Sequence, residues 1–219
     1  MSGQPDSHNR RDDLVFFGKI GAGLSHDIRN VLSIVGENAG LLDDQLAIVE
    51  NGKALDYEKL KTLSARITRQ VARGIRTMER FSRFAHAADE EAASSDMTAI
   101  TETVAAMAQR HVVLAGCRLE ADLPDEAIHV TANPFSLQHA VFSAIELILD
   151  SLENGQVVTI KLAGRGAAAV MSVSGSVTGG GELSGRISRL SAVINELEGS
   201  VETSRENGVL SLTLTIPAG

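Results

Sequence analysis

Two long helical patterns separated by a short break constrain this chain more than any other feature. The first runs over about residues 14–49; the second starts near Asp56, after a break at Asn51-Gly52. An α-helix turns about 100° per residue. On that wheel Ile20, Leu24, Ile28, Val31, Val35, Asn38 and Leu42 fall within roughly 40° of one line, and all but Asn38 are apolar. The second helix places Leu60, Leu63, Ile67, Val71, Ile75 (or Gly74), Met78, Phe81 and Ala85 at steps of three and four, a heptad-like seam. Two helices of about 30 residues joined by a short loop make an antiparallel hairpin. One hairpin cannot bury its apolar stripe alone. Two hairpins from two chains make a four-helix bundle, so a homodimer is expected.

The remainder has a different rhythm. Residues 1–12 are polar and charged and read as a disordered tail. Residues 87–97, rich in acids and small side chains, read as a linker in which Asp96 could cap the next helix. Beyond it the pattern predicts a helix over 98–111, strands over 118–122 and 128–130, and a helix over 134–152. Strands over 157–162 and 168–173 follow, then a helix over 183–197. Strands over 201–204 and 209–216 close as a hairpin around Asn207-Gly208. Strands with three helices indicate a two-layer α/β sandwich. The expected fold class is therefore α+β: a long helical hairpin over 13–88 forming a dimeric bundle, then a sandwich domain over 96–219.

Composition excludes several classes. The 219 residues carry a net charge of −8, no Trp and one Tyr, which argues against nucleic-acid binding, since that needs a basic footprint or stacking aromatics. No apolar run reaches the roughly 20 residues of a membrane span, and the N-terminus has no apolar signal region. Cys117 is the only cysteine and is expected to be a small buried residue. No disulfide framework is available, which fits a cytoplasmic location. The histidines His8, His86, His111, His129 and His139 show no ligand spacing, so no metal site is expected. Gly179 to Gly181 lacks a following Lys, Ser or Thr and reads as a plain loop. Glu146 and Asp150, four apart, read as a solvated helix face.

His26 carries the functional reading. With Asn30, Ser33 and Glu37 it falls opposite the apolar stripe, so its ring points to solvent from a helix built to be buried on its other side. A solvent-facing histidine on a helix is usually only a polar surface residue. Here an acid, Asp27, follows it directly and an amide lies one turn on. Asn is mildly unfavourable inside a helix, which hints at a role for Asn30.

The run His26-Asp27-Ile28-Arg29-Asn30, on a helical hairpin ahead of an α/β pattern, resembles the two-component histidine kinases. Their motif is a His, an acid, an apolar residue, a basic residue and then Thr or Asn. The family usually has Pro next, which bends the helix; this chain has Val31. The resemblance spans about residues 14–217. It implies that His26 accepts a phosphoryl group on a neutral ring nitrogen, with Asp27 accepting the hydrogen on the other. It implies further that Asn30 positions water for hydrolysis of a partner's aspartyl phosphate. Arg29 suits phosphate contact as a rigid donor fork.

The same resemblance predicts that the nucleotide site is degenerate. Aligned on the apolar pattern of the helix over 134–152, the family's Mg²⁺-binding Asn falls at Leu147, and the neighbouring Asn-type position at Ser143. Where the family has an adenine-reading Asp, the run Val173-Ser174-Gly175 places Gly175. The glycine-containing lid appears as a deletion around Gly179. Metal and phosphate positioning carry most phosphoryl-transfer catalysis, so no nucleotide-binding residues and no bound cofactor are expected. Mg²⁺ would come with the partner.

The leading expectation is a histidine phosphotransferase of a phosphorelay, passing a phosphoryl group through His26 to or from response-regulator receiver domains. A sensor kinase is a further candidate partner, because no sensor or membrane segment is expected in this chain. The alternatives are a divergent ATP-dependent sensor histidine kinase, which binding of any adenine nucleotide would favour, and a non-enzymatic pseudokinase or phosphatase that binds a regulator or kinase. That last reading predicts that mutation of His26 leaves function intact.

Overall fold

The structure is a computed structural model that describes residues 6–51, 54–177 and 184–218, with side chains from residue 11 onward. The loop at Gly179 to Gly181, and with it the expected lid deletion, lies outside the described residues. The chain divides into two compact units, one of residues up to 20 together with 84 onward, the other of residues 21–83.

Residues 21–83 contain most of the two long helices. Helix α1 spans Asp6–Glu50 and α2 spans Tyr57–His86. The first begins eight residues earlier than residue 14, so described residues 6–12, expected as tail, are helical. Asp56 caps α2, its Oδ1 accepting from the Lys59 amide at 3.0 Å. Within this unit Leu24, Val31, Asn38 and Gln45 are buried at intervals of seven on α1. On α2 the buried line runs through Leu63, Gly74 and Thr77. Val71, Ile75 and Met78 stand 46%, 54% and 51% exposed. The single seam read from the sequence is therefore two stripes. One faces α1 and admits glycine and threonine; the other is apolar and exposed among the described residues. Gly74 explains the split: a Cβ there would lie 3.2 Å from Val31 Cγ1, so the glycine faces α1 and turns Ile75 away from it.

The other unit is an α/β layer pair. A five-stranded mixed sheet has the order β2-β4-β5-β7-β6, from β2 (Arg118–Asp122), β4 (Val157–Gly164), β5 (Ala168–Ser176), β6 (Ser200–Glu206) and β7 (Val209–Pro217). The β2–β4 pair is parallel and the others antiparallel. The β6–β7 turn has Asn207 at φ 51° and Gly208 at φ 76°, the left-handed pair a two-residue hairpin turn requires. Alternate residues of β4, β5 and β7, among them Ile160, Met171, Val173, Leu212 and Leu214, are buried under the helices.

Three helices cover that face: α3 (Met97–Leu114), α4 (Pro134–Leu149) and α5 (Ser184–Glu196). Asp96 caps α3 as expected, accepting from Thr98 and Ala99 amides at 2.9 and 3.1 Å. Asn133 caps α4, its side chain accepting from Ser136 at 3.0 Å, with Pro134 in the first turn. One element is new. Ala93–Asp96, inside the expected linker, forms β1 and pairs antiparallel with β3 (His129–Ala132). Its sequence Ala-Ser-Ser-Asp carries no β-branched or aromatic residue, so propensity gives no strand signal.

Candidate functional site

In the helical unit, His26 is exposed and makes no hydrogen bond or ion pair among the described residues. Leu24 and Val31 are buried on the opposite side of α1, 8% and 5% exposed. Asn30, Ser33 and Glu37 are exposed with His26, as the wheel predicts, and Arg29 is exposed beside them. Asp27 is half-buried. The helix runs unbroken through Val31, where the family's Pro would interrupt its backbone ladder. An accessible imidazole with an amide one turn away can take an electrophile at nitrogen while the amide holds a water nearby.

In the α/β unit, α4 displays the positions where the resemblance places the nucleotide's ligands. Leu147 is buried, 2% exposed, and Ser143 is half-buried. Gly175 on β5 has no free volume: an added Cβ would lie 2.7 Å from Leu152 Cδ2 and 3.1 Å from Ile148 Cγ2. The room an acid would need is occupied by the leucine that follows α4.

A cavity of about 180 Å³ opens between α4 and α5, with Ser143, Leu147, Arg186 and Arg189 on its walls and Phe16 and Lys19 of α1 closing one side. Small-molecule sites commonly measure about 300–1,000 Å³, so this one is small. The first turns of α1 belong to this unit through specific contacts. Phe16 stacks on the His139 ring, centroids 4.8 Å apart and planes 5° apart, and meets Phe84, Phe135 and Phe142. His139 Nδ1 lies 2.9 Å from Asp13 Oδ1. Lys19 Nζ donates to both Glu146 oxygens at 2.6 and 2.9 Å.

Asp150 is exposed, as expected for a solvated face, while Glu146 is half-buried, and both acids are paired. Glu146 holds Lys19 and lies 3.4 Å from His111 Nε2, and Asp150 pairs with Arg186. Sequence reasoning missed this because the cations come from other helices, at no regular spacing from the acids. Cys117 is buried as expected, its thiol 3.4 Å from the Glu153 carbonyl. Among the described residues no group of three or more His, Cys, Asp or Glu could hold a metal ion, and no helix is long and apolar enough to cross a membrane.

No family model and no curated protein matches the chain. Solved structures do. A histidine kinase from Burkholderia phymatum is 12% identical, covering 93% of this chain and 98% of its own, with a TM-score of 0.54. Histidine kinase AdeS from Acinetobacter baumannii is 14% identical over 89% of this chain and 98% of its own, TM-score 0.51. Histidine kinase ThkA in complex with the response regulator TrrA is 16% identical, TM-score 0.52; the match covers 96% of this chain and 64% of that one. The catalytic domain of ThkA alone matches 59% of this chain, TM-score 0.51. The fold is that of the histidine kinases: a helical region followed by an ATPase-type α/β layer pair.

Proposed function

We propose that this protein works in two-component signalling as a phosphoryl carrier, with His26 exchanging a phosphoryl group with the aspartate of a response-regulator receiver and no ATP of its own. The observation that carries this is the exposed His26, with Arg29 and Asn30 beside it, on a histidine-kinase fold. The ATP-free part is supported by buried Leu147 and by Leu152 filling the space beside Gly175.

A ring nitrogen of His26 attacks the phosphorus of the receiver's acyl phosphate. The P–O bond to the aspartate breaks and the carboxylate leaves; the reverse step returns the group. Asp27, turned toward the ring, accepts the hydrogen on the second nitrogen. Arg29 contacts the phosphoryl oxygens, and Asn30 orients water when hydrolysis competes. Mg²⁺ sits on the receiver. The complex of ThkA with a response regulator favours a receiver as partner here as well. The uncovered stripe of Val71, Ile75 and Met78 favours a homodimeric four-helix bundle.

The comparisons favour a second reading over the ATP-free one. The solved neighbours are histidine kinases, one of them matched through its catalytic domain alone. On that reading the chain is an ATP-dependent kinase with a divergent nucleotide site. One experiment separates the two. Wild type and His26→Gln are incubated with Mg²⁺ and γ-labelled ATP, and separately with labelled phospho-receivers. Acid-labile label from receivers alone, lost in the variant, establishes the phosphotransferase. Label from ATP on wild type but not on the variant establishes the kinase.

A further inference from the structure

We infer that Gly18, Gly21 and Gly23 form a hinge in α1 that gates His26. Three glycines within six residues lie inside a 45-residue helix. Each is surrounded by open space: an added Cβ would meet nothing within 4 Å. Among the described residues none of the three has positive φ. Gly74 and Gly175 are different, since a neighbouring side chain closes on each. Neither packing nor backbone geometry requires glycine at 18, 21 and 23. What they contribute is a weakened helix, about four- to fivefold in local helix population for each glycine in place of alanine.

Their position gives the weakness a use. The boundary between the two compact units falls between Ile20 and Gly21. On one side Asp13, Phe16, Lys19 and Ile20 are fixed within the α/β unit by an imidazole contact, an aromatic cluster, an ion pair and burial. On the other side Leu24 and Val31 are buried in the hairpin. Between these anchors stand only Gly21, Ala22 and Gly23, held by backbone hydrogen bonds alone. Segments with few buried side chains open first, and helices bend where glycines cluster. Gly36 and Gly40 are also open, but buried Val31, Asn38 and Gln45 pin the helix around them.

The hinge reaches His26 directly. By the helical i−4 rule the His26 and Asp27 amides bond to the Ala22 and Gly23 carbonyls. Opening at 21–23 releases those two amides and frees the first turn of the histidine segment. The glycines stand just ahead of the histidine in an otherwise continuous helix. The consequence for phosphoryl exchange rests on the function proposed above; the hinge itself does not.

The test compares wild type, a Gly18→Ala/Gly21→Ala/Gly23→Ala variant and a Gly36→Ala/Gly40→Ala control. Hydrogen exchange is read residue by residue along α1, and transfer to His26 from a labelled phospho-receiver is timed. Amides 21–27 of wild type should exchange at least tenfold faster than amides 34–42. The triple variant should slow them at least tenfold and change the transfer rate several-fold, while the control leaves transfer at the wild-type rate. Uniform exchange along α1 overturns the hinge. Slowed exchange with unchanged transfer, or an equal effect of the control, overturns the gating. Should wild type accept no phosphoryl group at all, the proposed function fails, and the exchange comparison alone decides the hinge.

Discussion

At the scale of single residues, similar helical positions carry different information. His26 was legible because its meaning lies in exposure and in neighbours along one helix, and periodicity reports both. Gly175 was legible only as the absence of an acid. In the structure Leu152 Cδ2 and Ile148 Cγ2 stand 2.7 and 3.1 Å from where a Cβ at residue 175 would lie. On the ATP-free reading proposed above, an acid introduced at residue 175 should create no nucleotide site. Gly175→Asp crowds the Cδ atoms of half-buried Leu152 and the Cγ2 of Ile148, and overpacking typically costs about 1–3 kcal/mol. Calorimetry should show Tm lowered by several degrees, and Leu152→Ala, added to it, should recover part of that loss through direct coupling. A neutral Gly175→Asp would mean that the pocket beside β5 is open after all. Gly74 is the opposite case. As a letter it reads as a helix weakness, and only its 3.2 Å approach to Val31 identifies it as a packing residue.

At the scale of elements, turn and cap chemistry predicted boundaries well, and composition predicted them poorly. Asp56, Asp96 and the Asn207-Gly208 turn are local rules, and each element starts or turns where they place it. Strand β1 has no local rule behind it; only the backbone of β3, some 35 residues away in sequence, makes it a strand. The start of α1 before residue 14 likewise depends on Asp13 and Phe16 finding His139.

The hairpin interior holds the one polar residue that periodicity placed on the α1 stripe. Asn38 sits 6% exposed at a core position, its Nδ2 donating to the Ile34 carbonyl at 2.6 Å while its Oδ1 has no partner. A buried unpaired carbonyl costs stability, typically about 1–3 kcal/mol, and a core Asn commonly fixes helix register in return. Asn38→Leu should raise Tm by a few degrees in thermal denaturation. It should also broaden the association states seen by native mass spectrometry. A fall in Tm with a single sharp state would show that Asn38 is satisfied and purely structural.

At the scale of the whole molecule, the decisive question is what covers the outer stripe of α2. Val71, Ile75 and Met78 recur at steps of four and three, each about half exposed. Such spacing is that of a face built for another helix. Scattered exposed apolar residues need no explanation, but a periodic row beside a buried heptad line does. The sequence wheel merged these residues with the inner seam because a single helix cannot reveal how many partners it has. A second copy of the chain supplies an identical stripe and closes a four-helix bundle by two-fold symmetry. Wild type should therefore sediment at twice the chain mass. Replacing Val71, Ile75 and Met78 together by Asp should give a monomer, because three like charges would meet their copies across the two-fold axis. Circular dichroism should show little loss in the monomer's α/β unit, whose core is made by the sheet and α3 to α5. If the triple variant still sediments as a dimer, the stripe faces another partner and the bundle closes through a different surface. If wild type is itself monomeric at high micromolar concentration, the homodimer is excluded and the stripe is left for a receiver or a second kinase-fold chain.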